Sequence, residues 1–152
     1  MKNNEQIQMM TKLSLQIFKL NGLFLEEGAR MTDDINITTS RWRVLGTLTR
    51  AGCPLTVPQI AREMGQTRQS IQRLADVMAS DGFVEYVDNP AHAKSRNVRL
   101  TTLGVQTYAS LADRQLSSQA FIAKGLDLED MKQASRVLEQ LINNLDLPAT
   151  DY

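Results

Sequence analysis

The segment with the clearest chemical character is 67–73, TRQSIQR, within a stretch that has no acidic residue from 64 to 75. Apolar residues from Ile71 to Met78 follow the i, i+3, i+4, i+7 template, which predicts an amphipathic helix capped by Thr67. Four long polar side chains then face away from the apolar stripe: Arg68, Gln69, Gln72 and Arg73. In the DNA major groove arginine bonds bidentately to guanine and glutamine to adenine, so these side chains, with Thr67 and Ser70 at the helix start, are predicted DNA contacts. The competing interpretation is an ordinary solvated helix face.

A second cationic group lies between two short stretches rich in β-branched and aromatic residues, 83–87 and 97–101. The stretches predict a β-hairpin, and its tip carries His92, Lys94 and Arg96. Such a hairpin beside a DNA-binding helix is a wing, and wings contact phosphates or the minor groove, where cations meet negative potential. Arg99 lies on the returning strand, where side-chain alternation favours an orientation away from DNA. The alternative is a surface loop that happens to be basic.

A predicted helix-turn-helix positions both groups. A helix over 39–51 is stopped by Gly52-Cys53-Pro54, and a short helix then begins with a capping box of Thr56 and Gln59. Gly65 ends that short helix, and a three-residue turn leads to the helix that Thr67 caps. Two short amphipathic helices joined by a tight turn are typical of this motif, whose second helix enters the major groove.

Composition sets limits on other functions. The chain has 152 residues, one cysteine, one histidine and a net charge of zero, so a disulfide framework, a Cys-rich zinc site and a multi-histidine metal centre are excluded. We expect no metal, no cofactor and no enzymatic activity. The charge is unevenly distributed, because residues 41–100 carry nine basic and five acidic side chains while the remainder carries eight and twelve. The absence of a long apolar segment predicts no membrane association and favours a reduced, cytoplasmic protein.

The ends of the chain are predicted to form long, unusually apolar helices over 5–27, 102–124 and 127–145. The first is expected to end at Gly28, with a turn over 28–38. These helices carry more apolar surface than a chain of this size can bury alone. A second copy related by two-fold symmetry would cover it, so we expect a homodimer.

In this order and spacing, the chain from Ile37 to Gly104 resembles the multiple antibiotic resistance regulator (MarR) family of winged helix-turn-helix proteins. The resemblance is carried by five segments: WRVL at 42–45, LTVPQIA at 55–61, MGQTRQS at 64–70, DGFV at 81–84, and NP at 89–90 continued by VRLTTLG at 98–104. It implies a homodimer held by the terminal helices. It also implies binding to a pseudo-palindromic DNA operator, usually as a repressor released by a small ligand or an oxidant. Many relatives carry an Asp-x-Arg pair at the wing tip, where this chain has His92 and Lys94.

The resemblance also implies a small-molecule effector, aromatic or lipophilic, bound where the dimerisation helices meet the DNA-binding domain. The residues expected at that junction are Phe18, Trp42 and Tyr108, with Arg41 or Arg43 placed to meet a ligand carboxylate. Core packing is the alternative role for each aromatic side chain. The lone Cys53 lies beside Pro54, and a small apolar packing role is favoured over a redox role.

The predicted fold is therefore mainly α: a winged helix-turn-helix with a two-stranded β-hairpin wing and long terminal helices that form a dimerisation region. The expected division is residues 1–36 for the N-terminal dimerisation helix and turn, 37–101 for the DNA-binding domain and 102–152 for the C-terminal dimerisation helices. The predicted function is a sequence-specific DNA-binding transcriptional regulator. The alternative is a winged-helix module that binds another protein and not specific DNA, because a fold alone does not settle function.

Overall fold

The computed structural model describes residues 2–35, 37–91 and 94–146. Within them the fold is mainly helical, with one small antiparallel sheet. The helices are α1 (Lys2–Thr32), α2 (Thr39–Ala51), α3 (Val57–Met64), α4 (Arg68–Ser80), α5 (Thr102–Ala109), α6 (Ala112–Ile122) and α7 (Leu128–Asp146), with a 3-10 turn over Asp33–Ile35. The strands are β1 (Leu55–Thr56), β2 (Val84–Val87) and β3 (Asn97–Leu100). None of these helices is both long and apolar enough to cross a membrane.

Helices α3 and α4 form the predicted helix-turn-helix, with α2 before it, and the ends of these helices are determined by local sequence. Thr56 and Gln59 make the capping box at the start of α3, and Gly65 ends that helix at a φ of 62°, in the left-handed region that glycine tolerates. The three helices pack around one core. Its fully buried side chains from these helices are Val44, Leu45, Ile60, Ile71, Ala75 and Met78.

The sheet has three strands in the order β1-β3-β2, so the prediction of a two-stranded wing was incomplete. Leu55 pairs with Val98, and Thr56 pairs with Asn97. Thr56 is the N-cap of α3, and an N-cap residue has extended backbone geometry, here a φ of −73° and a ψ of 156°. The residue that caps α3 therefore already has strand geometry, and β3 pairs with it in addition to β2. This pairing ties the wing to the helix-turn-helix.

The prediction that α1 ends at Gly28 was wrong, because the helix continues to Thr32. Gly28 does not end the helix, and it allows close packing between α1 and α2. A Cβ atom on Gly28 would lie 2.5 Å from Cγ2 of Thr39, the first residue of α2. The missing side chain thus allows α1 to approach the start of α2.

The predicted continuous helix over 102–124 is interrupted between α5 and α6 at Ser110 and Leu111. The Ser110 hydroxyl donates to the carbonyl oxygen of Thr107 at 2.8 Å, which competes with the helical pattern. Leu111 is only 1% exposed and belongs to the core around α2–α4. Burial of this leucine accounts for the break that the apolar stripe alone did not reveal.

The chain separates into two compact units, residues 1–115 and 116–152. The first contains α1 to α5, the sheet and the start of α6. The second contains the rest of α6 and all of α7. Asp127 caps the start of α7, because its Oδ1 accepts from the backbone nitrogen of Glu129 at 2.8 Å. No residue of α7 is buried.

Candidate nucleic-acid interface

The start of α4 has the geometry that the sequence predicts. The Thr67 side chain accepts a hydrogen bond from the backbone nitrogen of Ser70 at 3.2 Å, which caps the helix. Ile71, Ala75 and Met78 are fully buried and determine which face of α4 points inward. The opposite face is solvent-exposed and carries Arg68, Gln69, Gln72 and Arg73.

A surface groove of about 610 Å³ separates the exposed face of α4 from the wing. It brings together five of the predicted DNA contacts, three from the helix and two from the hairpin. The residues that line it are Val57, Pro58, Arg68, Gln69, Gln72, Asp76, Tyr86, Lys94, Ser95 and Arg96. Arg73 is exposed but is not part of this lining. The groove therefore joins three cations with two amides in one concave surface, while its only carboxylate, Asp76, is hydrogen-bonded.

The Arg96 guanidinium is held in place by Tyr86 on β2. Arg96 Nη2 donates to the Tyr86 carbonyl oxygen at 2.7 Å, and Cζ lies 5.4 Å from the centroid of the Tyr86 ring. The second distance is within the range of a cation–π contact. Lys94 is exposed and makes no hydrogen bond or ion pair with any part of the chain that the structure describes. His92 lies outside the described residues.

Arg99 points away from the groove, as strand alternation predicts. It lies opposite Glu85 in the β2–β3 register, and its Nε is 2.8 Å from Glu85 Oε1. Tyr86, the next residue on β2, points to the other face and lines the groove. Two neighbouring residues of β2 thus separate the groove side of the wing from its back.

Asp76 and Tyr86 were not predicted as site residues, yet both contact Gln72. Gln72 Nε2 lies 2.9 Å from Asp76 Oδ1 and 2.8 Å from the Tyr86 hydroxyl oxygen. The same hydroxyl donates to Asp76 Oδ1 at 2.6 Å. Burial, and then the hydrogen bond to Asp76, raises the pKa of Tyr86 to about 12, so the hydroxyl keeps its proton at neutral pH. The spacing of four residues between Gln72 and Asp76 is a detectable signal in the sequence, but the contact to β2 is not.

The residues expected at an effector site are not all brought together. Trp42 and Tyr108 line a cavity of about 90 Å³, together with Arg43, Gly46, Thr47, Arg50, Glu63, Met64 and Gln115. Trp42 Nε1 is buried there and has no hydrogen-bond partner among the described residues. Arg41 instead pairs with Asp81 at 2.8 Å, and Phe18 is 73% exposed on α1, so neither lines this cavity. An effector role for Trp42 and Tyr108 stays a prediction.

Metal-binding and redox groups do not add a second site. Within residues 2–35, 37–91 and 94–146, no group of three or more His, Cys, Asp or Glu side chains is placed to hold a metal ion. Cys53 is an exposed free thiol. Its exposure departs from the packing role that the sequence favoured.

The central part of the chain matches a protein-family model. Residues 35–95 match the family model described as "MarR family". This segment contains α2, α3, α4 and most of the wing. It therefore covers the helical part of the groove and the Tyr86 side of the hairpin.

Two sequence relatives extend over most of the chain. An uncharacterized protein of Mycobacterium tuberculosis is 29% identical and is covered over 90% of its length, with 86% of this chain aligned. The transcriptional repressor IacR of Pseudomonas putida is 25% identical, covering 84% of this chain and 76% of the repressor.

Two solved structures show the same fold at low identity. The MarR protein of E. coli with the C80S substitution, complexed with operator DNA, has a TM-score of 0.74 at 20% identity, covering 90% of this chain and 94% of that one. CouR of Rhodococcus jostii, bound to p-coumaroyl-CoA, has a TM-score of 0.74 at 14% identity, covering 92% and 95%.

Proposed function

We propose that the chain is a DNA-binding transcriptional regulator of the MarR family, and that it is a sequence-specific repressor that binds a pseudo-palindromic operator as a homodimer. The observation that carries the proposal is the groove between α4 and the wing. Arg68, Gln69 and Gln72 supply base-contacting chemistry on one wall, and Lys94 and Arg96 supply cations on the other. No chemical reaction is part of the proposed activity.

The side chains on the two walls of the groove suit DNA better than a protein partner. Arginine and glutamine on a helix match the donor and acceptor pattern of base edges in the major groove. Cations on a hairpin beside it match phosphates or a narrow minor groove. A protein-binding winged helix is expected to show an apolar or acidic outer face, whereas the first two turns of α4 expose only polar and basic long side chains.

Exposed apolar side chains on α1 and on α7 each support a homodimer. On α1 the exposed large side chains include Ile7 at 57%, Leu15 at 65%, Leu20 at 50% and Phe24 at 51%. On α7 they include Leu128 at 63%, Leu138 at 45%, Ile142 at 59% and Leu145 at 79%. Exposed apolar side chains in this number mark a protein interface. Because most homodimers have two-fold symmetry, two α4 helices would contact two half-sites of a pseudo-palindrome.

Response to a small molecule is supported by the cavity beside Trp42 and Tyr108. Two aromatic rings line this cavity beside Arg43 and Arg50, and at about 90 Å³ it would have to widen to admit an aromatic or lipophilic ligand. The cavity lies between α2 and α5, on the elements that support the helix-turn-helix. A ligand there would act on the position of α2 and, through it, on the placement of α4. The complex of CouR with p-coumaroyl-CoA shows an aromatic thioester bound to a protein of the same fold.

The experiment that tests the proposal is selection of bound sites from a pool of random DNA duplexes, followed by titration of the selected duplex and a scrambled one. We expect a pseudo-palindromic motif and tight preference for it. A protein that enriches no motif, and binds both duplexes equally, would contradict the proposed function.

A further inference from the structure

Phosphate binding by a cationic groove does not explain the hydrogen-bonded cluster of Gln72, Asp76 and Tyr86. Three polar atoms, Gln72 Nε2, Asp76 Oδ1 and the Tyr86 hydroxyl oxygen, lie between 2.6 and 2.9 Å from one another. The cluster joins α4 to β2 at the floor of the groove. An acidic residue here is costly for a surface that binds phosphates, so its presence calls for a specific role.

The donors and acceptors available in the cluster determine the orientation of the Gln72 amide. A carboxylate only accepts hydrogen bonds, so the Tyr86 hydroxyl must donate its single proton to Asp76. The hydroxyl oxygen and the carboxylate oxygen then both require a donor, and the amide nitrogen is the end of the Gln72 side chain that can serve them. Turning the amide over would set its carbonyl oxygen against two acceptors.

The same geometry leaves one edge of the amide free. The three distances form a nearly equilateral triangle, so the two oxygens are close together as seen from Nε2. Amide protons point about 120° apart, as trigonal nitrogen requires, so one N–H directed between the two oxygens serves both. When the N–H anti to Oε1 takes this role, the carbonyl Oε1 and the second N–H, which share one edge of the amide, stay available to a ligand in the groove.

We propose that Asp76 and Tyr86 are positioning residues that lock the Gln72 amide, so that its free edge selects adenine in the operator. Oε1 accepts from the adenine N6 amino group, and the free N–H donates to adenine N7. Guanine presents two acceptors at the same place and cannot satisfy Oε1. An unlocked glutamine can rotate to suit other bases, so the lock increases selectivity more than affinity. This inference rests on the proposed function, because it specifies which base the DNA-binding site selects.

The test uses the selected operator and base analogues within it. The position read by Gln72 is the one whose preference disappears in Q72A. Adenine there is replaced by guanine, by purine, which lacks the 6-amino group, and by 7-deazaadenine, which lacks N7. For the wild type we expect each replacement to weaken binding, by about tenfold for guanine. For Q72A we expect equal affinity for the duplexes that carry adenine, guanine, purine or 7-deazaadenine at this position.

The positioning role is tested with Y86F and D76A. Y86F keeps the ring beneath Arg96 and removes only the hydroxyl. We expect both variants to lose most of the adenine-over-guanine ratio at this position and to keep the wild-type ratios at every other position and the wild-type melting temperature. Y86F should also keep the wild-type affinity for scrambled DNA, whereas D76A removes a negative charge from the groove and should bind all duplexes more tightly. The matched control is E85Q, on the same strand but facing away from the groove, which should retain the full ratio.

Three results would overturn the inference alone: a Gln72-dependent position that prefers guanine or thymine, an operator with no Gln72-dependent position, or a full adenine-over-guanine ratio in both Y86F and D76A. A wild-type protein that selects no sequence overturns the proposed function and this inference with it. A uniform loss of affinity in Y86F on all duplexes would identify Tyr86 as a structural residue and would also overturn the positioning role.

Discussion

Arg96 on the wing donates to the main-chain carbonyl of Tyr86 at 2.7 Å, while its guanidinium lies 5.4 Å from the centre of the same residue's ring. Both contacts come from Tyr86 on β2, so one residue holds the guanidinium in two ways. The resemblance noted above leads one to expect a carboxylate that orients a wing arginine, and this chain has histidine at that position. A carbonyl and an aromatic face supply the orientation here.

Loss of the wing cations should weaken specific and nonspecific DNA binding by similar factors, because phosphate contacts carry little sequence content. We expect Lys94→Ala and Arg96→Ala each to lower the salt slope by about one per subunit. Titration on specific and scrambled duplexes at several salt concentrations measures this. Arg99→Ala is the matched control, since its side chain pairs with Glu85 behind the wing. Unchanged slopes for both tip variants would show that the hairpin does not contact DNA.

Substitutions on α4 should separate groove residues from the neighbouring surface. Arg68→Ala and Gln69→Ala remove side chains that line the groove, and each should cost about 1–3 kcal/mol on the selected operator. Arg73→Ala removes an exposed cation outside the lining, so we expect a smaller and sequence-independent loss. Melting curves should be unchanged, because none of these side chains is buried. Equal losses on scrambled DNA would mean that Arg68 and Gln69 do not contact bases.

The exposed face of α7 should hold two copies of the chain together. Sedimentation at micromolar concentration is expected to give twice the chain mass of 17.0 kDa. Ile142→Asp places a charge on the apolar stripe and should shift the protein toward monomer, since a buried unpaired charge is costly at an interface. Asn143→Asp adds the same charge off the stripe and should leave the mass unchanged. A wild-type protein that sediments as a folded monomer would contradict this part of the account.

Gly28→Ala should destabilise the fold by about 1–3 kcal/mol, because the new Cβ would overlap the Thr39 side chain. With Thr39→Ala in the same chain the overlap disappears. The substitution should then be neutral or stabilising by up to about 1 kcal/mol, as alanine is the better helix former. Denaturant unfolding of the four proteins of this double-mutant cycle gives the coupling. A coupling near zero would show that α1 does not approach α2 so closely.

The fluorescence of Trp42, the only tryptophan in the chain, should report an effector directly. We expect an aromatic or lipophilic ligand that enters the cavity to quench or shift this emission and to release operator DNA over the same concentration range. A screen of such compounds, read by emission and by DNA release, tests the idea. Tyr108→Ala should weaken both effects together. Ligands that release DNA without altering the emission would place the effector site elsewhere.

Local sequence signals predicted the parts of the fold that depend on neighbours in the chain. The Thr56–Gln59 capping box, the Thr67 cap and the apolar template of α4 each concern residues within a few positions, and each is found as predicted. The features that were missed depend on contacts between distant residues. Gly28 is explained by Thr39, β1 by its pairing with β3, and the break at Leu111 by the core around α2.

In the candidate site, too, local sequence signals predicted some features and missed those that depend on contacts between distant residues. Side-chain type and helical periodicity were enough to place Arg68, Gln69 and Gln72 on one exposed face. The role of Tyr86 could not be predicted, because its hydroxyl meets Gln72 and Asp76 only once β2 lies against α4. Its backbone carbonyl likewise orients Arg96 only when the hairpin has formed. Prediction from periodicity thus identifies which side chains face DNA, while the tertiary contacts determine how they are held.

The measurement that tests the central claim most directly is selection from random duplexes with the wild type and with the Arg68→Ala, Gln69→Ala double variant. The account predicts a pseudo-palindromic motif for the wild type and, for the double variant, weaker enrichment with lost preference at symmetry-related positions in the two half-sites. Melting and sedimentation of the variant should match those of the wild type. Identical motifs and enrichment for the two proteins, or no motif for either, would contradict the assignment of the α4 groove as the DNA-recognition surface.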